Sequence, residues 1–180
     1  MYETWEELEK LAVNCTNCKL HKVRRNVLFG EGAKNSKIMV IGNNISAEEE
    51  EQKKFFVGKA GRLLEFAFQT VGIKKEEIYI TNIIKCRTPA NRLPEKDEYH
   101  ECLNYLRNQV ILLKPKIIIL LGNTVIKNIL GNEFDCLNET RIFEKKGIKY
   151  LCTYSPKDFI QDENLKLKFI NDLELARKEY

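Results

Sequence analysis

The feature that most constrains the fold of this chain is its alternation of short apolar runs with longer amphipathic stretches. The apolar runs have the length of buried strands and cover residues 37–42, 78–84, 115–121 and 148–153. Helical spacing follows at about 60–71, 95–113, 123–131 and 164–179, and precedes the first run at about 4–13. This repetition predicts a mostly parallel sheet covered by helices on both faces. In such sheets ligands bind beyond the carboxyl ends of the strands, here just after Ile41, Ile84, Leu121 and Thr153.

Length and charge set broad limits on the kind of protein. With 180 residues the chain is long enough for one hydrophobic core, so we expect a single domain over residues 1–180. A formal net charge of +4 permits nucleic-acid binding without arguing for it. The amino terminus lacks the pattern of a secretory signal, and the longest strongly apolar stretch, 117–121, is too short to cross a bilayer. We therefore expect a cytoplasmic monomer with no membrane partner.

Four of the six cysteines have a spacing that suits a metal site. Cys15 and Cys18 form a Cys-x-x-Cys pair, while Cys86 follows a predicted strand and Cys102 lies on the next helix. Without an export signal, metal binding or reactive thiols are favoured over disulfides. Four thiolates could hold either zinc or an iron–sulfur cluster, and the spacing alone does not choose between them. The alternative is that Cys86 and Cys102 are merely buried thiols.

The other two cysteines and the two histidines have no partner that the spacing reveals. Cys152 falls within a predicted strand and is expected to lie in the core, and Cys136 has no assigned role. His21 and His100 are the only histidines. Any mechanism that needs an imidazole must therefore find it at one of those two positions.

Several motifs together carry a resemblance to a known family. They are Cys15-x-x-Cys18, KIMVIG at 37–42, FVGKAGRLL at 56–64, YITNIIKCRTPANRLP at 79–94, Cys102 and KPKIIILLG at 114–122. In order, spacing and identity the chain resembles the family-4 uracil-DNA glycosylases over nearly its whole length. The resemblance implies a three-layer α/β/α fold with a central four-stranded parallel sheet. It also implies a structural [4Fe-4S] cluster held by Cys15, Cys18, Cys86 and Cys102.

The resemblance also implies a pocket for a base extruded from DNA. Phe56 occupies the position whose ring stacks on the base. A flat apolar ring suits this position because an extruded base has lost its stacked neighbours. Asn82 occupies the position whose amide reads the uracil edge with one donor and one acceptor, and Gly42 opens the first loop of the pocket. Outside this context, a phenylalanine after a polar loop is usually core and an asparagine at a strand end is usually a cap.

Basic residues near the strand ends are the candidate DNA contacts. They are Lys85, Arg87, Arg92 and Lys157, and the basic run 19–25 could add phosphate contacts. The acidic run 48–51 would repel phosphate, so we expect it to be a solvated face that points away from DNA.

Two motifs that carry the chemistry of the family are altered in this chain. Gly-Glu-Ala-Pro-Gly is replaced by Gly42-Asn43-Asn44-Ile45-Ser46, and Tyr-His-Pro-Ser by Tyr154-Ser155-Pro156-Lys157. Ser155 therefore stands where the family has a histidine that stabilises the departing base, and could donate only a shorter-reaching hydrogen bond. Asn43 stands where the family has a glutamate, so a carboxylate that could act as a base or stabilise the sugar cation is absent. We hypothesise that Asn44 orients the attacking water; the alternative is a loop without catalytic constraint.

Three functions follow from these patterns. The first is a DNA glycosylase that removes uracil or a related deaminated base by hydrolysis. The second is a paralogue that binds uracil-containing or abasic DNA without efficient turnover, as the altered motifs suggest. The third is an interaction protein that keeps only the cluster.

Overall fold

A computed structural model describes residues 2, 4–55, 57–132 and 142–180. Its strands are β1 (Glu31–Gly32), β2 (Ile38–Gly42), β3 (Ile78–Asn82), β4 (Ile117–Leu121), β5 (Ile142–Lys145) and β6 (Ile148–Thr153). They form one sheet in the order β1-β3-β2-β4-β6-β5. The four central strands are parallel, and β1 and β5 pair antiparallel at the edges. The predicted four-stranded parallel sheet is thus the centre of a six-stranded one, so the expected strand count was too low.

Helices lie between the strands as the helical spacing predicts. They are α1 (Trp5–Val13), α2 (Ala47–Gln52), α3 (Gly58–Thr70), α4 (Lys96–Leu113), α5 (Asn123–Leu130), α6 (Pro156–Gln161) and α7 (Asn164–Arg177). The two short helices α2 and α6 were not predicted, because each is too short for a periodic pattern. Both begin with a capping box, Ser46 with Glu49 in α2 and Ser155 with Asp158 in α6, which satisfies the first backbone N–H groups.

The core has two halves, one on each face of the sheet. Alternate residues of the parallel strands point to opposite faces, so Met39 and Ile118 pack with α1, α4 and α5, whereas Val40 and Ile119 pack with α3, α6 and α7. This arrangement gives the expected three-layer α/β/α architecture. Cys152 is buried in β6, as predicted. Within the described ranges, none of the helices combines the length and the apolar character that a membrane span requires.

Candidate functional site

A cavity of about 510 Å³ opens where the parallel strands end, which is a volume typical of small-molecule sites. It brings together most of the pocket residues expected from the sequence, namely Gly42, Asn43, Asn44, Asn82, Ser155 and Lys157. These residues come from the ends of β2, β3 and β6, which the parallel topology places at one edge of the sheet. Phe56, expected to stack on the base, and Cys136 lie outside the described residues.

Asn44 presents an unsatisfied acceptor at this site. Its Nδ2 donates to the carbonyl oxygen of Arg92 at 3.2 Å, and its own carbonyl oxygen accepts from Nδ2 of Asn82 at 3.0 Å. Its Oδ1 is the one buried side-chain polar atom in the described part of the chain that lacks a hydrogen-bond partner. A buried acceptor without a donor costs about 1–3 kcal/mol. A donor at that oxygen would relieve this cost.

Asn43 and Asn82 are also oriented by their neighbours. The hydroxyl of Tyr99, on α4, donates to Oδ1 of Asn43 at 2.7 Å. Since that oxygen is occupied, Asn43 has its amide N–H groups to offer to a ligand. Oδ1 of Asn82 packs so closely on Gly42 that a Cβ there would overlap it. The three asparagines thus form one uncharged side of the cavity. Hydrogen bonds join this side to Tyr99 on α4 and to the backbone of Arg92.

Ser155 is engaged as a helix cap. Its hydroxyl donates to Oδ2 of Asp158 at 2.8 Å, and its backbone N–H donates to the same oxygen at 2.7 Å. The hydroxyl proton is therefore committed to a carboxylate, which leaves no proton to donate to a departing base. Gly122, at the end of β4 with φ of 88°, lies against Ser155, and a Cβ there would be 3.1 Å from that of Ser155.

Neither histidine takes the place of the missing imidazole. His21 lies beside the cysteines, where its Nδ1 is 2.7 Å from the carbonyl oxygen of Cys18. His100 lines a separate, smaller cavity together with Tyr105 and Arg107.

Lys85, which was expected to contact DNA, is buried inside the protein. The side chain is 1% exposed, and its Nζ donates to Thr81 Oγ1 at 2.6 Å, to the Asn82 carbonyl oxygen at 2.7 Å and to Gln109 Oε1 at 2.6 Å. A lysine enclosed in this way cannot reach a phosphate, so the prediction for Lys85 was wrong. Its position directly before Cys86 gave no indication of burial.

The other three expected DNA contacts differ in how available they are. Arg92 makes a bidentate ion pair with buried Glu98, at 2.8 and 2.6 Å. Arg87 donates from Nε to Asn91 Oδ1 at 3.1 Å and is half-buried. Lys157 is exposed at the cavity. The DNA-binding role of these residues stays a prediction, and the geometry favours Lys157 among them.

The acidic run does not form the solvated, outward-pointing face that its composition suggests. Glu50 is 4% exposed, and its Oε1 accepts from the backbone N–H of Arg25 at 2.8 Å. Glu48 and Glu49 line the cavity. Burial raises the pKa of Glu49, while hydrogen bonds from Ser46 and the charge of Lys157 oppose that rise. This prediction was therefore wrong, because a capped helix turns two of the four carboxylates towards the cavity.

Several residues that line the cavity were not predicted from the sequence. They are Phe55, Lys59, Leu93, Asn123 and Thr124. Asn123 and Thr124 follow β4, so the rule that ligands bind beyond strand ends could have found them. Lys59 lies on α3 and Leu93 follows a turn. Only the tertiary structure brings these two residues to the cavity.

The four candidate metal ligands lie near one another. Cys15 and Cys18 follow α1 and pack against the half of the core that contains Cys86 and Cys102. The thiolate charges of Cys15 and Cys18 act on Cys86, and those of Cys86 and Cys18 act on Cys102, so the four are within electrostatic reach. Burial raises the pKa of Cys18, Cys86 and Cys102. Among the described residues, however, no group of three or more histidine, cysteine or acidic side chains is arranged to hold a metal ion.

Two cations lie against these thiols. Nη1 of Arg24 donates to Sγ of Cys86 at 3.3 Å. Burial lowers the pKa of Lys85 to about 7, whereas the thiolates of Cys102 and Cys86 favour its charged form. The three hydrogen-bond acceptors of Lys85 are all neutral oxygens, and a buried ammonium without an anion is costly. A negatively charged metal–thiolate centre at these cysteines would offset that cost, so the chemistry of the four thiols and of Lys85, though not the arrangement of the thiols, suits such a centre.

Fold and cavity define an α/β protein with a cavity lined by polar side chains where its parallel strands end. Comparison with known proteins names the group. The family model of the uracil DNA glycosylase superfamily matches residues 29–174. A type-4 uracil-DNA glycosylase of Pyrobaculum aerophilum is 34% identical over 93% of this chain and 90% of its own length, and one of Sulfurisphaera tokodaii is 32% identical over 99% and 88%. The chain therefore belongs to the uracil-DNA glycosylase superfamily, within its type-4 family.

A further relative places the same kind of segment in a much larger protein. A DNA polymerase of Bacillus phage SP01 is 33% identical over 81% of this chain, which is 16% of the polymerase.

Proposed function

We propose that this protein is a DNA glycosylase that hydrolyses the N-glycosidic bond of uracil, or of a related deaminated base, in DNA. The observation that carries the proposal is the cavity at the strand ends, in which Asn43, Asn44 and Asn82 converge and one buried carbonyl oxygen lacks a donor. The names of the type-4 relatives support the same substrate class.

The chemistry follows from what the reaction requires. As the bond between C1′ and the base nitrogen breaks, its electron pair leaves with the base and positive charge develops on the sugar. Oδ1 of Asn44 accepts a hydrogen bond from a water molecule, whose oxygen then bonds to C1′ and whose proton passes to solvent. The carboxylates of Glu49 and Asp158 line the cavity and favour the cationic sugar, while the Asn43 amide can donate to the departing base.

A second function, binding of uracil-containing or abasic DNA without efficient turnover, is favoured by the cap at Ser155. Loss of one preorganised donor to a developing anion typically costs about 10²–10³ in rate. Since the Ser155 hydroxyl is committed to Asp158, that loss is not compensated at this position.

The experiment that separates the two functions uses single- and double-stranded oligonucleotides with one uracil. Purified protein in excess is incubated with each, abasic sites are cleaved with alkali, and binding is measured in parallel on the same substrates and on matched oligonucleotides with thymine. Product from the uracil strands alone supports the glycosylase. Selective binding without product supports the second function. Equal binding to uracil and thymine DNA without product contradicts both and leaves the interaction protein.

We also propose that Cys15, Cys18, Cys86 and Cys102 hold a [4Fe-4S] cluster with a structural role. The buried Lys85, whose ammonium has only neutral acceptors and lies beside these cysteines, supports the proposal, as does membership of the type-4 family. When bound, the cluster would supply rigidity and negative charge, and no step of the hydrolysis passes through it. Cys86 and Cys102 flank the segment that bears Arg92, so the cluster would hold that segment against α4.

The test of the cluster is metal content after purification without oxygen. We expect brown protein with broad visible absorbance and about four irons per chain. Cys86→Ser should lose the colour, while Cys152→Ala, which changes a buried cysteine outside the four, should keep it. Zinc in place of iron, or colour that survives Cys86→Ser, contradicts the assignment.

A further inference from the structure

Tyr99 brings a hydroxyl group to the cavity from a position inside the core. The side chain lies on α4, is 7% exposed and packs in the half of the core on the α4 side of the sheet. Its hydroxyl donates to Oδ1 of Asn43, which lines the cavity, at 2.7 Å. Because a close-packed core leaves the ring little freedom, the helix fixes the position of this hydroxyl.

The direction of this hydrogen bond determines what Asn43 offers to a ligand. Burial raises the pKa of Tyr99, the hydrogen bond to Asn43 opposes that rise and the charge of Glu98 adds to it, so the hydroxyl keeps its proton at neutral pH. Oδ1 of Asn43 is therefore the acceptor of the bond. No described residue accepts a hydrogen bond from Nδ2 of Asn43, so its N–H groups are available at the cavity.

Three other side chains that could donate to a departing base are placed differently. The hydroxyl of Ser155 is committed to Asp158, and Lys59 and Lys157 are exposed, with long side chains that solvent surrounds. Donors stabilise a developing charge most when they are already in position before the reaction. Asn43 meets this requirement, since a buried partner holds its amide. An ionised glutamate at the same position would offer acceptors only.

We propose that the amide of Asn43 is the donor that stabilises the departing base and that Tyr99 is the residue that positions this amide. The inference rests on the proposed function. As the bond from C1′ to the base breaks, its electron pair leaves with the base and the negative charge spreads to the carbonyl oxygens of the base. Nδ2–H of Asn43 donates to one of these oxygens and keeps its proton, and solvent protonates the released base. The bond from Tyr99 polarises the amide, which strengthens its N–H groups as donors.

A comparison of two leaving groups separates this role from a structural one. Base release is measured with the protein in excess on strands that carry one uracil or one 5-fluorouracil, whose fluorine already stabilises the negative charge. On uracil, Asn43→Ala should lower the rate by about 10²–10³-fold and Tyr99→Phe by about tenfold. A better leaving group depends less on a donor, so both losses should shrink by about threefold or more on 5-fluorouracil.

The positioning role of Tyr99 also predicts how the two substitutions combine. Because Tyr99 acts through Asn43, the double variant Asn43→Ala with Tyr99→Phe should lose no more rate than Asn43→Ala alone. Tyr150→Phe is the matched control, because it removes the hydroxyl of a half-buried tyrosine on β6 that does not line the cavity. Its rate should equal that of the wild type on both strands.

Three results would overturn the inference while the proposed function stands. They are an unchanged rate in Tyr99→Phe, a loss of equal size on uracil and 5-fluorouracil, and losses that multiply in the double variant. A loss in Lys157→Ala that shrinks on 5-fluorouracil, together with an unchanged rate in Asn43→Ala, would assign the donor to Lys157 instead. Absence of product from the wild type on both strands overturns the proposed function, and the inference falls with it.

Discussion

Asn44 illustrates how a single side chain can be oriented by the backbone of another loop. Its side-chain nitrogen Nδ2 is fixed on the carbonyl oxygen of Arg92, so its side-chain oxygen Oδ1 is left as a buried acceptor without a hydrogen-bond partner. An acceptor in that position can hold a water by one of its hydrogens and direct a lone pair of the water towards the sugar. The amide is neutral, so it can orient the water without removing its proton.

Replacement of Asn44 tests this role directly. Asn44→Ala should lower the single-turnover rate of base release by about 10²–10⁴-fold, because the water loses the group that orients it. Asn44→Asp keeps an acceptor oxygen and should retain more of the rate. Asn128→Ala changes an exposed asparagine on α5 and serves as the control. An unchanged rate in Asn44→Ala would remove this residue from the mechanism.

Ser155 offers the opposite test, a gain of function. Ser155→His introduces a donor at the position where the family has one and should raise the rate of base release by about 10²-fold. The helix α6 loses its cap, so the free energy of unfolding should fall by about 1 kcal/mol.

The control for that variant is Ser155→Ala, which loses the same cap but adds no donor. Its rate should not rise, and its thermal stability should match that of Ser155→His. If both variants release base at the same rate in the single-turnover assay, the missing imidazole does not limit this protein.

At the scale of elements, α4 joins the two candidate sites. Glu98 in its first turn pairs with Arg92, Tyr99 orients Asn43, and Cys102 lies one turn further on among the candidate cluster ligands. Because one helix carries these three side chains, a displacement of α4 would alter the pocket loop, the segment of Arg92 and Leu93, and the cysteines together.

The ion pair of Glu98 gives α4 a pH dependence with a defined sign. The hydrogen bond from Arg92 lowers the pKa of Glu98 in the folded protein. A carboxyl whose folded pKa is lower than its unfolded value, about 4.3, adds stability above that value and loses it as the pH falls through the folded pKa. Glu98→Gln should therefore lower the free energy of unfolding by about 1–3 kcal/mol at pH 7.

Urea unfolding at several pH values measures this effect. The difference between the wild type and Glu98→Gln should shrink as the pH is lowered through the folded pKa of Glu98, because the wild-type carboxyl then becomes protonated. Glu101→Gln, on the same helix, should differ from the wild type by less than about 0.5 kcal/mol. A difference that is independent of pH would contradict the ion pair as its cause.

At the scale of the whole molecule, a net charge of +4 leaves DNA binding to local groups. Lys59 and Lys157 lie at the cavity, at the carboxyl ends of the strands, whereas Lys37 and Lys116 precede β2 and β4 at the opposite edge of the sheet. The two pairs carry the same charge but should differ in their contact with DNA.

Salt dependence of binding distinguishes the two pairs. Each phosphate contact adds about 0.9 to the slope of log affinity against log salt, so Lys59→Ala with Lys157→Ala should reduce the slope by about 2. The double variant Lys37→Ala with Lys116→Ala should leave the slope unchanged. Equal effects of the two pairs in a titration of affinity against salt would mean that binding follows overall charge, not the pocket.

Local patterns in the sequence were sufficient for most of the architecture. The apolar runs that became β2, β3, β4 and β6 and the spacing of the longer helices are set by residues within a few positions of one another, so they can be predicted without the fold. The edge strands β1 and β5 were missed because their pairing depends on partners across the sheet. It was also predictable that the pocket residues lie close together, since the carboxyl ends of parallel strands lie at the same edge of a sheet.

The sequence by itself determined the fold class, the cysteine spacing and the family, because each depends on residue types at fixed separations along the chain. Only the tertiary structure decided the state of particular polar groups. Lys85 is buried because Gln109, 24 residues away, accepts from it. Asn43 is oriented by Tyr99, 56 residues away. Such contacts depend on which elements pack together, and burial then decides whether a charged side chain meets DNA or stays inside the protein.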